Sequence, residues 1–457
     1  MALLDRLIEW WPDVSPPTQK RLAFKEKLKW TLIFLVLFFV LGLIPLYGLG
    51  DNALEQFEFL SIILGASFGS IISLGIGPIV TASIVLQLLN GSGIVKFDLS
   101  TTEGKKRFTG IQKLLSVVFI VLESVIYVRL GGLSPAVGVS MWVLVFQLLI
   151  GGVMIMFMDE VIQKWGFGSG ISLFIAAGVS QNLFVRLLSP LHVVEGESAF
   201  VGALPDFFRA MAESQFQEAT LHILAILATA AIFALVVYTQ SMKVEIPLSF
   251  GRVRGHGVRW PLNFFYTSNI PVILVAALIA NIQLMARLVD GWLGPTWLGS
   301  FTETGAPSGG LAAFLFSPNI VDLLVKGSFT WGAALQALVY VLIFMGGSVL
   351  FAWFWVQTSG LDARSQANQM LKSGLQIPGF RKDARVLERM LSRYIGPLTV
   401  MGGMAVGLLA ALADLSGALT SGTGLLLTVM IVYKLYEEIA QQHVMDMNPM
   451  MRKFMGR

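Results

Sequence analysis

Ten stretches of this chain are apolar over a length that can cross a bilayer, and nothing else in the sequence limits the fold as much. They lie near Leu28–Tyr47, Ser73–Leu89, Gln112–Val128, Val137–Phe157, Ile171–Leu188, Leu221–Thr239, Phe264–Gln283, Ala333–Trp355, Ile395–Leu412 and Gly424–Glu437. A helix needs about 20 residues to cross the hydrocarbon. Within lipid, each backbone N–H and C=O must find a partner inside the protein, so the segments are predicted as α-helices. Composition agrees: 13% of the residues are charged, about half the share in soluble domains. There is no cysteine, which excludes disulfides and thiolate metal sites. The first residues, "LLDRLIEWW" followed by Pro12, Pro16 and Pro17, lack the pattern expected of a cleaved signal peptide.

Loop charges orient the spans. With the N-terminus inside, the inside segments hold Lys20, Arg21, Lys25, Lys27 and Lys29, then Lys96, Lys105, Lys106 and Arg107, then Lys243, Arg252, Arg254 and Arg259, then Arg364 through Arg393. The opposite loops hold only scattered cations such as Arg129, Arg209, Arg287 and Lys326. This is a positive-inside pattern, and it predicts a multi-pass cell-membrane protein with both termini cytoplasmic.

A long polar loop, Ser189–Thr220, divides the spans into two sets of five. Five is odd, so the second set enters from the opposite side, and any repeat between the halves must be inverted. The expected organisation is an N-terminal half at 1–188, an external loop at 189–220, a C-terminal half at 221–440 with cytoplasmic loops at 241–263 and 357–394, and a tail at 441–457. The two loops are basic and glycine-spaced. That suits the positive-inside rule alone, and it also suits docking onto a large polyanion.

Catalytic signatures are absent. His192, His222, His256 and His443 make no i,i+4 pair, and no GxxxxGK[ST] occurs. "GLGDNA" at Gly48 follows an apolar helix and opens no βαβ unit. No enzyme, metal or cofactor is expected, so a chain that moves something must draw energy from a gradient or a partner. Glu123 is the clearest ionisable residue within a span, with Asn281 and Gln283 the notable polar ones. Such residues face a protein interior or water.

The stretch "SIISLGIGPIVTASIVLQLL" carries Gly75, Gly77 and Pro78 near its start. Upstream, Asn52 and Glu55 form a capping-box pattern before an apolar run of about four turns. That run is too short to cross and, joined to the next, too long for one crossing. A short re-entrant helix followed by a true span resolves this, and re-entrant backbone requires a cavity. Ile76 and Val80 follow Gly75, and Ile171 and Ile175 follow Gly170, each pair on one helix face. Each pair is compatible with ordinary packing or with a dry constriction. A secondary transporter with inverted repeats, or a non-transporting scaffold, are the alternatives. The first would need a midplane ion site, and the second would not need a re-entrant helix.

"SIISLGIGPIVTASIVLQLL", "MDEVIQKWGFGSGISLFIAAGVSQ", "KVEIPL", "SNIPVILVAALIANIQL", "FWVQTSGLD" and "GTGLLLTVMIVYKLYEE" occur in this order, and with them the chain resembles the SecY family, closer to its archaeal branch. The resemblance implies an all-α membrane protein of ten helices in two inverted halves, with the external loop at 189–220 as their hinge, around an hourglass pore. It implies a plug helix at about 54–68 and a passive channel that translocates unfolded polypeptides and releases transmembrane segments sideways into lipid. It assigns a pore ring to Ile76, Val80, Ile171, Ile175, Ile273 and Leu427. It places a lateral gate at Thr81, Glu123 and Asn281, and ribosome-docking positions at Arg252, Arg254, Arg381 and Lys382. The partners it implies are a SecE (gamma) subunit, a small beta subunit, the ribosome, nascent polypeptide with its signal sequences, and membrane lipid.

Overall fold

The computed structural model describes residues 12–19, 22–50, 69–91, 94–95, 97, 101–129, 132–192, 199–250, 257–267, 269–302, 307–372, 375–376 and 384–447. The first half contains α1 (Phe24–Leu43), α2 (Gly77–Gly91), α3 (Thr102–Arg129), α4 (Met141–Trp165) and α5 (Gly170–Leu188). A short helix α6 (Ala203–Ala212) precedes α7 (Phe216–Gln240), followed by strands β1 (Lys243–Phe250) and β2 (Gly257–Asn263) and by α8 (Ile270–Leu293). A small ribbon of β3 (Ser300–Phe301) and β4 (Pro307–Gly309) leads to short helices α9 (Gly310–Phe314) and α10 (Ile320–Val325). The chain ends in α11 (Trp331–Thr358), α12 (Ala363–Lys372), β5 (Leu375–Gln376), α13 (Ala384–Leu415) and α14 (Gly422–Met447).

A helix coincides with each of the ten apolar segments, and among the described residues seven helices are long and apolar enough to cross a membrane. The other three are α1 and α14, which carry charged ends, and α2, which is only 15 residues long. The spans are not equally enclosed. Of its apolar window, 67% of α8 is buried but only 6% of α7, so α8 is a central wall and α7 faces outward. α11 and α13 pack closely because Gly403 and Gly407 admit the partner backbone; a Cβ on Gly407 would stand 2.8 Å from the carbonyl oxygen of Phe344.

Before α2 the chain turns rather than continuing as helix. Residues 71–76 form turns, Gly75 takes φ +55°, and the helix begins at Gly77 with Pro78 next, where the missing N–H is not needed. The Leu46 N–H bonds Gly69 O at 2.8 Å and the Ile71 N–H bonds Ile44 O at 3.0 Å. Residues 44–46 and 69–71 are therefore held side by side. The expected plug at about 54–68 lies outside the described residues.

The two basic loops, at 241–263 and 357–394, are built around a sheet. β1 pairs antiparallel with β2, from Lys243↔Asn263 to Ser249↔Gly257, and also with β5 through Ser249↔Gln376 and Phe250↔Leu375. Both loops thus share one sheet of order β2-β1-β5. Ile246 and Leu262 pack there with Val356, Met370, Leu387 and Leu391 in a second core. α13 extends this region because its helix starts at Ala384, well before the apolar run at Ile395. The alternation Val244, Ile246, Leu248 in "KVEIPL" is the strand signal that betrays the sheet.

At the other end of the chain, Asp13 contacts Lys113 on α3 at 2.5 Å and Lys164 on α4 at 2.8 Å. Glu160 bonds both lysines, and the Val14 N–H donates to Glu160 Oε1 at 3.2 Å. Residues 12–19 are therefore strapped across α3 and α4.

Candidate functional site

Six aliphatic side chains were expected to converge. Ile76, Val80, Ile175, Ile273 and Leu427 are buried in the main core, with Ile171 partly buried against it. Val80 from α2, Ile171 from α5 and Ile273 from α8 line one cavity of about 300 Å³. Its walls also include Gln87, Gln163, Lys434 and Glu438, so polar and charged groups stand beside the aliphatic ones. Ile76 precedes α2 by one residue, yet its carbonyl accepts the Val80 N–H at 3.0 Å, which keeps the two in helical register. On α5, Ile171 and Ile175 fall in the first two turns. α8 begins at Ile270, with Pro271 in its first turn, and so presents Ile273 near its start. Val80, Ile171 and Ile273 thus meet at the starts of their helices, whereas Ile76, Ile175 and Leu427 are not among the residues that line this cavity.

Thr81, Glu123 and Asn281 meet in space. Asn281 Nδ2 on α8 donates to Thr81 Oγ1 on α2 at 2.9 Å. The Thr81 hydroxyl faces Gly77 O at 2.9 Å and Glu123 Oε1 on α3 at 3.4 Å. One proton serves two acceptors, and the shorter contact is the stronger. Glu123 is 5% exposed, and its Oε2 is buried without a hydrogen-bond partner. Three helices, two from one half and one from the other, are joined by side-chain contacts, and separating α2 from α8 would break the Asn281–Thr81 bond. Gln283, also on α8, turns elsewhere and donates to Leu315 O at 2.7 Å.

Arg252, Arg254, Arg381 and Lys382 lie outside the described residues. The strands that carry their flanks belong to the shared sheet.

Three charged groups give no signal in the sequence because they sit at the ends of apolar runs or within the polar hinge. Asp159 lies nearly two turns before the end of α4, and its Oδ1 accepts the Ile171 N–H at 2.9 Å. Asp414 closes α13, and its Oδ1 accepts the Thr423 N–H at 2.8 Å. On the hinge, Asp206 Oδ1 accepts from Arg209 Nε at 2.6 Å and from the Phe200 N–H at 2.9 Å, while His222 Nε2 lies 2.8 Å from Oδ2. Burial raises the Asp206 carboxyl, but Arg209, the Phe200 amide and His222 outweigh it and hold it below the usual carboxylate range. Among the described residues no group of three His, Asp or Glu could hold a metal ion.

The sequence pattern of the SecY family matches residues 70–436, and that of the plug domain of Sec61p matches residues 36–69. The protein translocase subunit SecY of Methanothermobacter thermautotrophicus is 47% identical over 449 residues, covering 97% of this chain and 96% of that one. The solved structure of a protein conducting channel superposes with a TM-score of 0.84 at 40% identity, covering 97% of this chain and 98% of that chain. Sec61 in the canine ribosome-channel complex from the endoplasmic reticulum superposes with a TM-score of 0.81 at 39% identity, covering 97% of each chain.

Proposed function

This chain belongs to the SecY family, a multi-pass membrane subunit of a protein-conducting channel and not an enzyme, and we propose how its residues divide that work. Ile76, Val80, Ile171, Ile175, Ile273 and Leu427 form the ring that closes the pore. An aliphatic neck repels ions by dewetting and gives a passing polypeptide no polar group to bind. Residues 1–188 and 221–440 act as two inverted halves, with 189–220 as hinge and 54–68 as plug. Both termini lie in the cytoplasm, as the loop charges support.

The gate lies between α2–α3 and α8–α11. The observation that carries this reading is the contact chain Asn281–Thr81–Glu123, which ties α8 to α2 and α3. A segment inside the neck reaches lipid when that seam parts, and it stays in lipid when its apolar surface outweighs its exposed polar groups. Having no nucleotide site of its own, the chain takes its drive from a bound ribosome. Arg252, Arg254, Arg381 and Lys382 meet the ribosomal polyanion, as the ribosome-bound canine relative supports. A SecE-type subunit and a small beta subunit complete the assembly.

The test is a reversible lock. Thr81→Cys and Asn281→Cys, joined by a short cleavable bis-thiol reagent in proteoliposomes, should stop both secretion of a precursor and insertion of a membrane segment. Cleavage should restore both. A locked channel that still inserts segments would place the gate elsewhere.

A further inference from the structure

The two halves solve one local problem in the same way. α5 and α14 are the fifth helices of their halves, and each supplies ring side chains from its first turns. The first four N–H groups of a helix have no partner within it, and at membrane depth water does not replace them. In each half one of these amides finds its acceptor in an aspartate near the end of the preceding long helix; in α14 the Ser421 Oγ takes another, the Gly424 N–H at 3.2 Å. Asp159 Oδ1 takes the Ile171 N–H at 2.9 Å; Asp414 Oδ1 takes the Thr423 N–H at 2.8 Å. Four residues beyond each captured amide stands a ring side chain: Ile175 after Ile171, and Leu427 after Thr423. That spacing puts the captured amide and the ring side chain one turn apart on the same helix face.

The carboxylates are themselves braced. Gln163 Nε2 donates to Asp159 Oδ2 at 2.7 Å. The Tyr340 hydroxyl on α11 donates to Asp414 Oδ2 at 2.8 Å, and the Thr423 hydroxyl bonds the same oxygen. The close approach has a backbone cause as well. A Cβ on Gly170 would stand 2.6 Å from the Asp159 Cα, and one on Gly422 would overlap the carbonyl carbon of Ala413. Both fifth helices begin with a glycine that only a bare backbone could place there. Ser169, at the usual capping position of α5, makes no cap bond with its side chain, so the capture by Asp159 is not redundant.

We propose that Asp159 and Asp414 are positioning residues for the pore ring, each anchoring the start of the helix that carries its half's share: Asp159 for Ile171 and Ile175, Asp414 for Leu427. The inference rests on the ring assignment above. It adds that the ring is held from outside the pore, independently in each half.

Because the chain has no cysteine, single reporters can be read without background. Ile175→Cys or Leu427→Cys, in the full chain assembled with its partner subunits in proteoliposomes, is labelled with a small charged methanethiosulfonate. Asp159→Ala is expected to speed labelling at the first reporter about tenfold, equivalent to about 1.4 kcal/mol of easier local opening, and to leave the second unchanged. Asp414→Ala should do the reverse. Asp159→Asn keeps an acceptor for the Ile171 amide and should restore the slow rate. Tyr340→Phe, a mild change that removes one brace from Asp414, should speed only the Leu427→Cys reporter, by about threefold. Unchanged rates, equal acceleration at both reporters in each variant, or Asp159→Asn labelling as fast as Asp159→Ala would each overturn the proposal. Ion conductance of Ile175→Gly reads the ring assignment separately: a silent channel there removes the seal without touching the labelling result.

Discussion

Asn281 on α8 donates from Nδ2 to the hydroxyl of Thr81 on α2 over 2.9 Å, across a separation of 200 residues in the chain. This one contact crosses from the second half to the first. Through Thr81 it reaches Glu123 on α3 at 3.4 Å. Its strength bears on how easily the two halves separate there. Interhelical hydrogen bonds within membranes are worth about 0.6 kcal/mol on average, so the seam is held lightly.

The gate makes two opposite predictions. Thr81→Val keeps the shape but leaves Asn281 and Glu123 without their shared partner, so the closed seam weakens by about 1 kcal/mol. Less hydrophobic segments should then insert. Asn281→Leu replaces the polar contact with apolar packing and makes the seam greasier, so fewer marginal segments should insert. The measurement is the inserted fraction of a graded Leu/Ala test helix. Midpoints displaced in opposite directions support the gate; superimposed curves reduce these residues to packing.

The proposed ring predicts a leak. Replacing Ile76, Val80, Ile171 and Ile175 with Gly or Ser widens and wets the neck, and a wetted neck passes ions. Planar-bilayer recordings of the resting channel should show conductance that the parent lacks.

Ribosome binding should depend on salt through the two basic loops. Each neutralised phosphate releases counterions, so Ala at Arg252, Arg254, Arg381 and Lys382 should weaken binding and flatten its salt slope, by up to about one unit for each cation removed. Sedimentation across a salt series reads this. Parent-like binding by the quadruple variant would leave the loops a purely topological role.

The proposed hinge should loosen in acid. Burial works to raise the Asp206 carboxyl, yet Arg209 and its other partners hold it below the usual carboxylate range. A depressed native pKa contributes stability that is present above the ordinary aspartate value of about 4 and is lost as pH falls through the native value. Protection against hydrogen exchange in 199–218, taken relative to the intrinsic amide rate at each pH, should therefore be steady at neutral pH and fall below about pH 4. Asp206→Asn should lower protection at neutral pH and flatten that acid response.

The membrane class and the helices were legible in the sequence because each depends on neighbours along the chain. Twenty apolar residues require a helix wherever they occur. The break at Gly75 and Pro78 was equally local, since φ +55° and a missing N–H are properties of single residues. "KVEIPL" carried its strand alternation too, but a basic loop gave no reason to look for a sheet, and pairing with β5 needs residues far downstream.

Only the tertiary structure decided what the polar groups do. Thr81, Glu123 and Asn281 mean little apart, and become a seam only when α2, α3 and α8 pack side by side. Asp159 and Asp414 read as charges trailing off the ends of spans, ordinary on a surface. Folding turns each back onto the start of the next helix, where an amide without a partner would be costly. The physical reason is the range of the interaction: hydrophobic transfer and backbone propensity act residue by residue, whereas a hydrogen bond of about 2.9 Å exists only once distant segments have been brought together.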